Sequence, residues 1–223
     1  MELQDTIKSI KAQLRLYMNG AVSQSMRQHG ISYKLNFGIE LPRIKEIASM
    51  YSPDHSLAQA LWKENIRECK ILAGILQPKD SFFPEISDKW VESIDQQEIA
   101  ELTCMHLFQH LPYASEKAFQ WIADERCYFQ VCGFLLLARL FMQNALLNER
   151  SENEFLDQAF VVLQNSSTEY FSAQAAYTAL CIYVRNHKRE AEKILSFFSS
   201  FEKSSDLRLQ TIYKELELEA ADL

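Results

Sequence analysis

Glycine and proline are scarce in this sequence, five of each among 223 residues. Together they make up about 4.5%, against roughly 12% in an average protein. Antiparallel sandwiches and dinucleotide-binding folds need glycine at their turns, so this shortage excludes both. Cysteine builds no framework either. Five residues, an odd number, stand at positions 69, 104, 127, 132 and 181 without the paired spacing of a zinc ribbon or a disulfide scaffold. They read as reduced core thiols of a cytoplasmic protein. No uncharged apolar stretch reaches 18 residues, and the longest greasy run, 127–138, is too short to cross a bilayer. Residues 1–19 carry Glu2, Asp5, Lys8, Lys11 and Arg15, which a secretory leader does not tolerate. A non-membrane, monomeric protein is expected.

Positive charge is also in short supply. Lys and Arg number 23 against 30 Asp and Glu, a net charge of −7. A nucleic-acid binder of this balance needs local clustering to offset the acidic total. Clustering is present: residues 1–50 hold seven basic and four acidic residues, while residues 51–223 hold 16 and 26. The basic group gathers around Arg27, Lys34, Arg43 and Lys45.

What the chain has in abundance is helical periodicity. Ile7, Ile10, Leu14 and Tyr17 form one stripe on a long first helix, followed by a polar break at Gln28–Asn36. Pro42 opens a helix through Ile44, Ile47 and Met50. Ser52-Pro53-Asp54 starts another that ends near Trp62, and a further helix runs over 67–76. Helix pairs then repeat: 84–94 with 97–111, 115–124 with 128–144, 152–164 with 169–185, and 188–201 with 206–220, with Ser115 as a capping residue. Trp62, Trp90, Trp121, Phe160 and Phe197 serve as equivalent anchors spaced 28 to 39 residues apart. Pairs at this period indicate an all-α solenoid of HEAT-like repeats, in which each pair buries its apolar face against its neighbours. One domain over 1–223 is expected, with N-terminal helices about 1–36 and repeats about 40–223.

Chemistry is mostly missing. There is no glycine-rich phosphate loop, HExxH or nucleophile elbow, so no cofactor is expected. His106 and His110, four apart, would share a helix face, but no third ligand stands near them and no metal is expected.

The N-terminal third carries a more specific pattern. Met26-Arg27-Gln28, Asn36-Phe37-Gly38-Ile39-Glu40-Leu41-Pro42, Arg43-Ile44-Lys45, Leu61-Trp62 and Arg67-Glu68-Cys69-Lys70 resemble the DNA alkylation repair family. Order and spacing agree over roughly residues 20–75. The resemblance implies a HEAT-like-repeat DNA glycosylase that excises alkylated, cationic purines, with double-stranded DNA as partner. Gly38 is expected at a positive φ. Trp62 reads as a core anchor or as a base-stacking ring, and Arg67 and Glu68 either pair with neighbouring repeats or present Arg67 to phosphate. The expected phosphate contacts are Arg27, Lys34, Arg43, Lys45, Arg67 and Lys70.

The family stabilises an oxocarbenium-like sugar with a groove carboxylate and contacts the lesion through aromatic rings. The matching positions hold Ile99 for a Trp and Thr103 for the Asp. The groove arginine falls near Val131 and the later Trp near Thr178. Glu98 and Glu101 are the nearest carboxylates, and neither has a Trp four residues before it. No catalytic residue is therefore assigned. Two functions follow: a DNA-repair-type protein that binds duplex DNA with absent or altered excision, or a non-catalytic solenoid that binds a protein through Tyr128, Phe129, Tyr170, Phe171 and Tyr177.

Overall fold

The structure, a computed structural model, describes residues 3–31, 33–165, 167–187 and 190–221. Its contacts divide the chain into two compact units, Met1–Leu111 and Pro112–Leu223. Among the described residues there is no strand, only an isolated parallel bridge between Leu35 and Ile66. Nor is any helix among them long and apolar enough to cross a membrane.

The N-terminal unit holds α1 (Leu3–Leu16), α2 (Gly20–Gln28), α3 (Leu41–Ala48), α4 (His55–Trp62), α5 (Arg67–Leu76), α6 (Pro84–Glu92) and α7 (Gln97–His106). Local chemistry sets the boundaries. Asn19 Oδ1 accepts from Val22 N at 3.2 Å and Asp54 Oδ1 from Leu57 N at 2.7 Å, capping α2 and α4, while Pro42 and Pro84 sit in the first turns of α3 and α6. The first stripe ends earlier than its periodicity suggests. Ile7, Ile10 and Leu14 are buried, but the chain turns after Leu16 and leaves Tyr17 42% exposed. Helix α5 packs against α4, α3 and α7, so the second helices of successive pairs stack on one another as a solenoid requires. The anchors stack too: the Trp62 and Trp90 rings lie 3.9 Å apart and 5° from parallel, with Phe82 edge-on to Trp90 at 4.9 Å. Their indole N–H groups donate to Ser93 Oγ at 2.8 Å and Gln59 Oε1 at 3.1 Å.

The C-terminal unit holds α8 (Ala114–Ile122), α9 (Cys127–Met142), α10 (Glu149–Gln164), α11 (Tyr170–Asn186), α12 (Ala191–Phe197), α13 (Ser199–Glu202) and α14 (Leu207–Ala221). Here α11 packs between α9 and α14, and α8 against α9. Gly133 permits that last contact, because a Cβ there would stand 2.7 Å from Ile122 N and 2.9 Å from Ala118 O. Trp121 is buried, and phenylalanines fill the rest. Phe141 lies 5.1 Å from Phe155 and 4.6 Å from Tyr183, and Phe160 stacks on Phe201 at 4.9 Å.

Helix α3 stops at Ala48 and leaves Met50 60% exposed, and further boundaries differ from the sequence reading. Helix α7 ends at His106, and His110 falls in a separate 3-10 turn over Phe108–His110, so the two histidines do not share a continuous helix face. Helix α8 begins at Ala114 with Tyr113 at its cap, placing Ser115 inside the first turn. The stretch expected as one helix over 188–201 is broken at Phe198; Phe198 and Phe201 are buried while Phe197 is 38% exposed, so the anchor there is Phe198. Lys188 and Arg189 lie outside the described residues.

Candidate nucleic-acid interface

The segment 34–40, between α2 and α3, has no helix of its own to satisfy its backbone, so its polar groups must find partners elsewhere. Leu35 N donates to Asn65 O and Arg67 N to Leu35 O, both at 3.3 Å, and Lys34 N donates to Asn65 Oδ1 at 3.2 Å. On the other side, Ser23 Oγ donates to Asn36 O at 2.7 Å and Asn19 N to Phe37 O at 2.9 Å. Asn36 Oδ1 accepts from Gly38 N at 2.7 Å, closing a tight turn. Gly38 has φ +69, and a Cβ on it would lie 2.4 Å from Asn19 O and 2.6 Å from Ser23 N. Both the left-handed backbone and the close approach require glycine.

The remaining amides of the turn end on one buried carboxylate. Glu68 is fully buried; its Oε2 accepts from Phe37 N at 3.1 Å and its Oε1 from Ile39 N at 3.3 Å. Arg67, 3% exposed, donates Nη1 to Glu68 Oε1 and to Ile39 O, both at 2.9 Å. Its Nε and Nη2 form a bidentate pair with Glu98 at 2.7 and 2.6 Å. Burial opposes the guanidinium charge, but the hydrogen bonds and charges of Glu98 and Glu68 outweigh it and hold the pKa above its ordinary value. Phe37-Gly38-Ile39 and Arg67-Glu68, which carry the family resemblance, are thus partners of one another: α5 and α7 clamp the turn that launches α3.

The six expected phosphate contacts separate into two groups. Arg67 is removed from the list, because its donors are taken by carboxylates and a carbonyl in the core. Lys70 is half-buried, with Nζ 4.6 Å from the centre of the Trp62 ring and donating to Trp62 O at 3.3 Å; burial lowers its pKa. Trp62 itself stacks on Trp90 and is the core anchor rather than a free ring. The other four are exposed: Arg27 in the last turn of α2, Lys34 in the clamped segment, and Arg43 and Lys45 on α3. Arg43 pairs with Glu46 and lies 4.7 Å from the Tyr17 ring centre. Arg27, Lys34 and Lys45 make no ion pair among the described residues. The sequence reading missed Glu98 as the partner of Arg67 and Tyr17 as the partner of Arg43. The 31-residue offset between Arg67 and Glu98, equal to that between Trp62 Nε1 and its acceptor Ser93, is the repeat signal that could have found the first.

The positions matched to excision chemistry carry none. Ile99 and Thr103 are buried in the N-terminal unit and Val131 in the C-terminal one. Thr178 donates its hydroxyl to Gln174 O at 2.8 Å. Glu98 is held by Arg67, and Glu101 accepts from Gln97 Nε2 at 2.8 Å. Among the described residues no three His, Cys, Asp or Glu side chains converge as a metal site. Of the aromatic side chains, Phe129 is buried beneath the Arg126 guanidinium at 3.5 Å, whereas Tyr170 is 71% and Phe171 37% exposed.

Residues 10–167 match the model of the DNA alkylation repair enzyme family. The chain belongs to that family. The match reaches beyond the clamp into the C-terminal unit, as the repeat architecture suggests. Among solved structures, one described as belonging to a new family of proteins related to the HEAT-like repeat DNA glycosylases, with affinity for branched DNA structures, superposes with a TM-score of 0.77. It covers 98% of this chain and 95% of its own at 15% identity, a likeness of fold. Comparison with curated proteins gave no match.

Proposed function

We propose that this family member binds DNA through the sugar–phosphate backbone, using the exposed cations of its N-terminal unit, and does not excise alkylated bases. The observation that carries the reading is the exposure of Arg27, Lys34, Arg43 and Lys45 on a backbone fixed by the Glu68 clamp. Rigid support lowers the ordering cost of each contact. Four phosphate contacts imply a salt slope of about −3.6, hence a roughly 100-fold loss of affinity between 50 and 200 mM salt. Such contacts carry no base information, so binding is sequence-independent, with Kd about 10⁻⁴ to 10⁻⁶ M on duplex at physiological salt. The affinity for branched structures of the solved neighbour adds branched DNA to the candidate ligands. In this reading the protein is a cytoplasmic monomer and its thiols stay reduced.

Excision of a cationic purine needs a carboxylate beside the sugar and aromatic faces on the base. Buried Ile99, Thr103 and Val131 supply neither, which supports a binding role without turnover. The test is fluorescence anisotropy with duplex, abasic-analogue and four-way-junction DNA at two salt concentrations, beside a release assay on methylated DNA. Salt-sensitive binding is expected, with 7-methylguanine and 3-methyladenine released no faster than spontaneously. No binding at about 50 mM salt contradicts the DNA reading, and turnover that depends on Glu98 or Glu101 contradicts the absence of excision.

One observation favours a second reading. In the C-terminal unit a cavity of about 440 Å³ is bordered by Tyr170, Tyr177, Arg208, Ile212 and Glu215. With exposed Tyr170 and Phe171 beside it, this surface suits a protein partner, and it becomes the leading site if DNA binding fails.

A further inference from the structure

The end of α1 and the turn that follows it expose three consecutive large apolar side chains: Leu16 at 83%, Tyr17 at 42% and Met18 at 60%. Single exposed apolar residues are ordinary, but a contiguous group marks an interaction site. This one is held firmly. Tyr17 N donates to Leu14 O at 3.3 Å, Met18 N to Arg15 O at 3.4 Å and Asn19 N to Phe37 O at 2.9 Å, and Gly38 allows the clamped turn to come up against Asn19. Cations flank it. The Arg43 guanidinium lies 4.7 Å from the Tyr17 ring centre, with Glu46 paired to the same guanidinium, and Arg15 is exposed in the last turn of α1.

An apolar tip with an aromatic ring, set among arginines on a rigid turn, has the chemistry that recognises an unstacked nucleobase next to phosphates. Aliphatic side chains wedge between base steps, and aromatic rings take up bases that have lost their neighbours. A continuous duplex offers such a tip no base without first breaking a stack, whereas a branch point offers bases already unstacked. We propose that Leu16, Tyr17 and Met18 form a wedge that packs against the unstacked bases at a DNA branch point, giving the protein a preference for branched over continuous duplex DNA. The inference rests on the DNA-binding reading above and adds to it the element that discriminates between DNA structures.

The test uses the full chain, a four-way junction carrying 2-aminopurine at the branch point, and a duplex of the same length. The wild type should change the 2-aminopurine emission and bind the junction more tightly than the duplex. L16S/M18S should weaken junction binding by roughly fivefold or more and leave duplex affinity unchanged; Tyr17→Ala, which also removes the ring beside Arg43, should weaken junction binding relative to duplex binding by a similar factor, with the thermal unfolding midpoint of each variant monitored. Duplex binding with no junction preference, or a preference untouched by the variants, overturns the wedge while leaving the DNA reading intact. Tip-dependent sedimentation with phosphatidylserine vesicles, together with loss of the junction effect, also overturns it. Failure to bind either DNA removes both proposals.

Discussion

Where the N-terminal unit buries an arginine between two carboxylates, the C-terminal unit buries phenylalanine. The Arg67–Glu68–Glu98 group is a backbone device: its oxygens and donors satisfy the amides and carbonyl of a turn that could not otherwise be held inside the protein. The Phe141–Phe155–Tyr183 cluster asks for one polar partner, the Glu152 carboxylate 2.8 Å from the Tyr183 hydroxyl. Surface cations are paired only in part, in both units. In the C-terminal unit four cations are paired, Arg126 with Asp124 at 2.7 Å, Arg185 with Glu219 at 2.6 Å, Arg208 with Asp206 at 3.6 Å and Lys193 with Glu152, while exposed Arg150, Lys203 and Lys214 make no ion pair among the described residues. Around α2 and α3, Arg27, Lys34 and Lys45 likewise make no ion pair among the described residues.

The largest effect expected from this contrast is on stability. Glu68→Ala leaves two buried amides without their acceptor and takes one of the two carboxylates from Arg67, which keeps Glu98, and should cost about 3–5 kcal/mol in denaturant unfolding. Arg185→Ala, which opens an exposed pair of the C-terminal unit, should cost less than about 1 kcal/mol. Similar losses from both would erase the distinction between a structural and a surface ion pair. Trp90→Ala and Trp121→Ala, one in each unit, should each cost about 3–5 kcal/mol as large-to-small core changes. A loss below about 1 kcal/mol from either would mean that its ring is not a packing anchor.

Much of this was legible in the sequence. The three-and-four spacing located the helix pairs because burial against neighbouring repeats dictates it, and Gly38 announced its left-handed turn through the motif around it. The failures have physical causes. Tyr17 continued the stripe of α1, yet capping by Asn19 and the approach of Gly38 turn the chain first, which leaves the ring outside. Phe197 and Phe198 are equivalent to a periodicity argument, and only the break between α12 and α13 decides which is buried. Arg67 read either as a partner of a neighbouring repeat or as a phosphate contact, and the sequence did not decide between them because its partner, Glu98, lies one repeat away and leaves no local signature. Exposure of Arg27, Lys34, Arg43 and Lys45 followed the charge pattern more directly, since burying a charge is costly unless carboxylates and hydrogen bonds compensate it, as they do for Arg67.

The central claim, that surface cations of the N-terminal unit hold DNA while the acidic C-terminal unit does not, is tested most directly by the salt dependence of binding in Arg43→Ala/Lys45→Ala. Both residues stand exposed on α3 and their side chains make none of the bonds of the Glu68 clamp, so the fold should tolerate their loss. The account predicts weaker binding on every duplex alike and a log–log salt slope reduced by about two. An affinity and slope identical to the wild type would place the DNA on another surface and contradict it.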